Sequence, residues 1–104
     1  MRGASPPGDE VVVGVLTWQL HLPQSRSLKD KRQVLRSLKD RLRGKFNVAI
    51  AELDGQDSWQ RSVVGVVSLS NNLAHLQQSL RTVLEESEGL LGRDLIGHDL
   101  ELLS

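Results

Sequence analysis

From residue 11 onward the apolar and polar positions recur in blocks, and the period changes from block to block. Residues 11–22 begin β-branched and then alternate, with Leu16, Trp18, Leu20 and Leu22 on even positions against Thr17, Gln19 and His21 on odd ones. A period of two predicts a strand with one buried face, and its Val-rich first half is apolar on both sides. Pro23 ends it. Ser27 followed by Asp30 is a capping-box signature, and Leu28, Leu35, Leu38 and Leu42 then recur at helical spacing. Gly44 is expected to close that helix.

Residues 46–53 alternate again. Phe46, Val48 and Ile50 fall on one face, and Ala49, Ala51 and Leu53 on the other. Asp54-Gly55 is a turn signal, and residues 59–69 read as the returning strand, so residues 46–69 form a hairpin. Ser70, Asn71 or Asn72 caps a second helix whose stripe is Leu73, Leu76, Leu80, Val83 and Leu84, with Gly89 expected at its end. Residues 95–103 form a last, weaker strand. The order β-α-β-β-α-β with a central hairpin predicts an α+β, ferredoxin-like sandwich: a four-stranded antiparallel sheet with two helices on one face. The two strands flanking the first helix then run parallel, separated by a central strand.

Composition narrows this picture. The chain has 104 residues, one domain's worth, assigned to residues 11–104. Residues 1–10, rich in Pro and Gly, read as a disordered leader. With no cysteine, disulfides and thiol chemistry are excluded, and the three histidines are too dispersed for a zinc signature, so no metal or cofactor is expected. No apolar run approaches the roughly 20 residues of a spanning helix, and the start lacks the charge order of a signal peptide. A cytoplasmic protein without membrane association is the expectation. One phenylalanine and two tryptophans are too few for a platform that stacks single-stranded bases.

The zero net charge conceals a strong asymmetry. Nine of the 13 basic residues fall within residues 26–45, opposed there by Asp30 and Asp40 alone; the rest of the chain holds four cations and eleven carboxylates. At about 100° per residue, Arg32, Arg36, Lys39 and Arg43 form a stripe beside the apolar one, with Lys29 on its margin and Arg26 before the helix. Such a ladder suits a polyanion, although a solvated face, or pairing with Glu85, Glu86 and Glu88 of the second helix, is the plainer alternative.

Single residues outside that ladder receive structural readings. Lys31 projects toward the apolar side of the helix and is expected to snorkel. The loop Pro23-Gln24-Ser25-Arg26-Ser27 is read as a plain helix cap, since it lacks the glycines of a phosphate cradle. His75 is expected in solvent and His98 partly buried. Trp59 is expected simply in the core; the alternative is an indole that plugs the hairpin against the first helix and holds Arg61 beside the basic flank.

Several blocks together resemble one family. Val13-Gly14-Val15-Leu16, Leu20-His21-Leu22-Pro23, the run from Ser25 to Arg32, Phe46-Asn47-Val48, Asp57-Ser58-Trp59-Gln60-Arg61 and Ser70-Asn71 look like the YlxP family of small bacterial proteins. The likeness spans about residues 11–103 and implies a ferredoxin-like fold in a bacterial cytoplasmic protein. It also implies a gene commonly beside those for translation-initiation and ribosome-maturation factors, and it brings no catalytic residues. The family usually starts near the first strand, which leaves the translation start of this chain open.

Together these features favour a non-enzymatic module that binds structured RNA or a ribosomal subunit through phosphate contacts. Arg26, Lys29, Arg32, Arg36, Lys39, Arg43 and Arg61 are the candidate contacts. A second reading is a protein-interaction domain that forms a homodimer through the helix-free sheet face, because both central strands are apolar on both sides. A third, an acylphosphatase-like enzyme using Arg26, rests on fold analogy alone.

Overall fold

Burial along β1 (Val12–His21) follows the expected period of two. Val12, Gly14, Leu16, Trp18 and Leu20 are buried, whereas Val13, Val15 and Thr17 are only half-buried. In the computed structural model, which describes residues 11–103, this strand leads to α1 (Leu28–Lys45), β2 (Ala49–Asp54) and β3 (Arg61–Ser70). Then come α2 (Leu73–Leu91), one turn of 3-10 helix (Gly92–Asp94) and β4 (Leu95–Leu103). The leader assigned to residues 1–10 lies outside the described residues.

The strands lie in the order β2-β3-β1-β4, with every neighbouring pair antiparallel. β1 and β2 are therefore parallel but separated by β3, which is the ferredoxin-like arrangement. Register places Leu16 opposite Val66 and Leu100, and Val64 opposite both Trp18 and Glu52. Both helices cover this even-numbered face. Leu35, Leu38 and Leu42 of α1 and Leu76, Leu80 and Val83 of α2 complete the core. Trp18 is fully buried, and its Nε1 finds no acceptor among the described residues. Burying an indole is worth roughly 4–6 kcal/mol. The unmade hydrogen bond costs about 1–3 kcal/mol, so burial wins.

Capping decides where the helices start. The Asp30 N–H donates to the Ser27 hydroxyl at 3.0 Å, while the Asp30 carboxylate accepts from the Arg26 N–H at 2.9 Å. The return bond of the capping box thus reaches one residue further back than usual. Asn72 caps α2, accepting from the His75 N–H at 2.9 Å.

Both expected helix ends move outward. Gly44 lies inside α1, which ends at Lys45 with Phe46 as its cap, and Gly89 lies inside α2. The buried stripe of α2 continues through Ser87 to Leu91, so packing carries the helix past Gly89 to a cap at Gly92 with φ +56°. The third strand starts at Arg61, leaving Trp59 in the turn.

The hairpin turn needs its glycine. Gly55 has φ +83°, and a Cβ there would lie 2.7 Å from the Arg61 carbonyl oxygen. Beside it, β2 is an edge strand whose register shifts between Glu52 and Asp54 and whose Glu52 points inward. Both features discourage pairing with another strand.

Candidate nucleic-acid interface

The buried stripe of α1 is Lys31, Leu35, Leu38 and Leu42. One residue further round, Arg32, Arg36, Lys39 and Arg43 repeat the same spacing on the flank that overhangs the β2 edge. Arg32, Arg36 and Arg43 are exposed and Lys39 is half-buried. At 1.5 Å per residue the ladder runs roughly 16 Å along the helix, long enough to meet several successive phosphates. With Leu35, Asp40 and Glu52 these four cations line an open cleft of about 450 Å³ between helix and edge strand.

The ion pairs among the described residues leave this ladder alone. They are Lys31–Glu52, Arg41–Glu86, Lys45–Glu86 and Arg61–Asp54. Among the described residues, no carboxylate comes within 4 Å of Arg32, Arg36, Lys39 or Arg43. Expected pairing with the second helix does occur, but on the other side of α1. Glu86 accepts from Lys45 Nζ at 2.6 Å and from Arg41 Nε at 3.1 Å. The Lys45 ammonium, with Arg41 behind it, holds the Glu86 carboxyl below its ordinary value.

Lys31 does not snorkel. It is 1% exposed, and its ammonium donates to the carbonyls of Gly55 at 2.5 Å and Arg61 at 3.3 Å and meets Glu52 Oε2 at 2.9 Å. The start of α1 lies against the hairpin turn, so protein acceptors replace the water that snorkelling would have sought. Ser62 donates its hydroxyl to the same Glu52 oxygen at 2.6 Å. Glu52 is thus committed inward, and Asp40 is the one cleft carboxylate without an ion pair among the described residues.

The other candidate contacts are not gathered into the cleft. Lys29 is exposed in the first turn of α1, and Arg26 is exposed in the preceding loop. Arg61 faces Asp54 at 3.7 Å, both widely exposed, and lies on odd register with Val63, away from the helices. Trp59 is 54% exposed and not in the core, because the turn holds it outside the strand. Its neighbour Gln60 does the structural work instead. The Gln60 side-chain amide donates to the Pro23 and Ser25 carbonyls, and the Gln60 backbone carbonyl accepts from the Leu22 N–H. His98 is exposed, contrary to expectation, because α2 packs mainly over β1 and β3 rather than over β4.

In the first loop, the Ser25 and Arg26 N–H groups already donate to Leu22 and Asp30. Those two N–H groups are therefore engaged within the chain. Among the described residues, no group of three or more His, Asp or Glu converges to hold a metal, and no helix is long and apolar enough to cross a membrane.

Sequence reasoning missed Glu52 as the partner of Lys31, although a signal was present. One acid on the buried face of a strand and one lysine on the buried stripe of a helix are opposite charges aimed at the same core.

A family model described as "Protein of unknown function (DUF503)" matches residues 13–95. The chain belongs to the DUF503 family. Its relative "Uncharacterized protein YlxP" from Bacillus subtilis (strain 168) is 34% identical over 73 residues, covering 70% of this chain and 79% of that protein. The expected YlxP resemblance is thereby upheld. Among solved structures, the de novo designed protein Foldit4 superposes with a TM-score of 0.58 at 10% identity, over 91% of this chain and 98% of the design. The de novo designed protein Ferredog-Diesel reaches 0.50 at 17% identity, over 100% and 97%. These likenesses concern the DUF503 fold alone.

Proposed function

We propose that this protein is a non-enzymatic module that holds the phosphate backbone of structured RNA against the outer flank of α1. One observation carries the reading: Arg32, Arg36, Lys39 and Arg43 line one cleft and have no carboxylate within 4 Å among the described residues. Guanidinium forks match phosphate oxygens in pairs, and each phosphate contact releases condensed counterions. Such contacts position a nucleic acid without reading its bases, so binding is salt-dependent and weakly sequence-specific. Lys29 and Arg26 extend the surface toward the helix start, and Arg61 contributes less because Asp54 opposes it.

The test is affinity for an RNA hairpin, and co-sedimentation with ribosomal subunits, across a salt series. Four phosphate contacts give a slope of log affinity on log salt of about −3. The Arg32→Glu/Arg36→Glu/Arg43→Glu variant should lose most of that binding. A slope near zero, or equal binding by the variant, ends the proposal.

A second reading is a homodimer through the helix-free face. Leu53, Val67, Leu69 and Leu103 are each exposed there by 37–61%, and Leu53 lies over Gly65 beside an apolar hollow of about 220 Å³. An uncovered apolar sheet face suits burial against a second copy. Sedimentation equilibrium tests it: Leu53→Lys/Leu69→Lys should shift a dimer to monomer, and a wild-type monomer at high concentration removes the idea.

A further inference from the structure

α2 packs on β1 and β3, and this leaves the helix-side residues of β4 short of cover. Leu100 lies opposite Leu16 in the ladder, on the same face as the core, yet is 43% exposed. His98, opposite fully buried Trp18, is exposed too. The gap is a cleft of about 230 Å³ between α2 and β4. Leu16 and Leu80, both 1% exposed, form its floor, and Leu84 and Leu100 form its walls. Arg81 and His98 stand at its rim from opposite sides, and neither has a carboxylate within 4 Å among the described residues.

We propose that this cleft binds a small organic anion: a short unbranched carboxylate whose tail lies on the leucines and whose head meets Arg81 and His98. The chemistry of the lining selects that class. Four leucines favour a guest with an apolar body, and a rim of one permanent cation and one imidazole favours a negative head. An Arg–carboxylate contact made beside an apolar floor is stronger than one in open water. The volume is below the roughly 300–1,000 Å³ of drug-sized sites, which limits the guest to a short chain. This site shares no residue with the α1 ladder. It lies at the β4 edge of the sheet, whereas the ladder lies at the β2 edge, so it stands or falls independently of RNA binding.

The test is titration of the full chain with acetate, butyrate and hexanoate, followed by backbone amide NMR shifts. Hexanoate should shift resonances of Leu80, Arg81, Leu84, His98 and Leu100 saturably, and acetate should bind much more weakly for want of a tail. Arg81→Ala, at an exposed position, should weaken hexanoate binding by roughly tenfold or more. Leu100→Trp should fill the cleft and abolish binding while the fold, checked by circular dichroism, persists. Arg36→Glu should leave hexanoate binding unchanged. Shifts centred on the α1 ladder, equal affinity for acetate and hexanoate, no saturable shift, or undiminished binding by either cleft variant would each overturn the proposal.

Discussion

Lys31 Nζ lies 2.9 Å from Glu52 Oε2, with the lysine side chain 1% and the glutamate 16% exposed. This pair ties the start of α1 to the edge strand β2. All three ammonium donors have acceptors, counting the Gly55 and Arg61 carbonyls, so the cost of taking the charge out of water is offset by fully made contacts. The pair also settles the electrostatics of the neighbouring cleft. A glutamate bound inward to lysine cannot neutralise Arg32, Arg36, Lys39 or Arg43.

Lys31→Ala should destabilise the protein by about 3 kcal/mol, toward the lower end for a broken buried pair, because it leaves the partly buried Glu52 with Ser62 but without its counter-charge. Lys31→Met combined with Glu52→Leu should recover most of that loss, since an apolar pair of similar volume needs no counter-charge. Urea denaturation midpoints decide it. A double variant as unstable as the single one would show that the charges are not the reason.

Cations of α1 should divide into two functional groups. Arg41→Ala/Lys45→Ala removes two cations that share Glu86 and lie outside the cleft, so the salt slope of RNA binding should change less. Arg36→Ala/Arg43→Ala should reduce its magnitude by about 1.4 to 1.8. Equal changes from both pairs would mean that overall charge, not the ladder, governs affinity.

Glu86 should give stability a dependence on acid. Its carboxyl is held below the ordinary 4.5 by the hydrogen bond from Lys45. A depressed carboxyl stabilises the fold above its unfolded value and loses that contribution as pH falls through the folded one. The stability difference between wild type and Glu86→Gln should therefore be constant near neutrality and shrink below about pH 4.5. Melting temperatures measured from pH 7 downward test this, and a difference that stays flat refutes it.

Gly55→Ala should cost about 1–3 kcal/mol. The added Cβ meets the Arg61 carbonyl at 2.7 Å in a backbone conformation with φ +83°. Gly44→Ala, in a helix with open space at that point, should instead stabilise by up to about 1 kcal/mol. Thermal unfolding of the two variants should move in opposite directions.

Trp59→Ala should change stability by no more than about 0.5 kcal/mol, because the indole is 54% exposed in the turn. Gln60→Ala should cost more, since the amide holds the loop before α1 through the Pro23 and Ser25 carbonyls. A large loss at Trp59 would place it in the core after all.

Periodicity carried most of this architecture. Alternation in residues 11–22 and 59–69, and helical spacing from Leu28 to Leu42 and Leu76 to Val83, are local consequences of which side chains must leave water. Strand and helix identity therefore followed from the order of the residues, as did the ladder of Arg32, Arg36, Lys39 and Arg43, whose spacing requires nothing but a helix. Contacts between distant segments are another matter. The pattern puts Lys31 and Glu52 at core-facing positions without pairing them, and nothing local shows that Trp59 would be left outside the third strand or that α2 would run past Gly89 and leave His98 and Leu100 uncovered. Those outcomes depend on how the helices lie across the sheet, because only packing establishes which charges lose their water and which keep it.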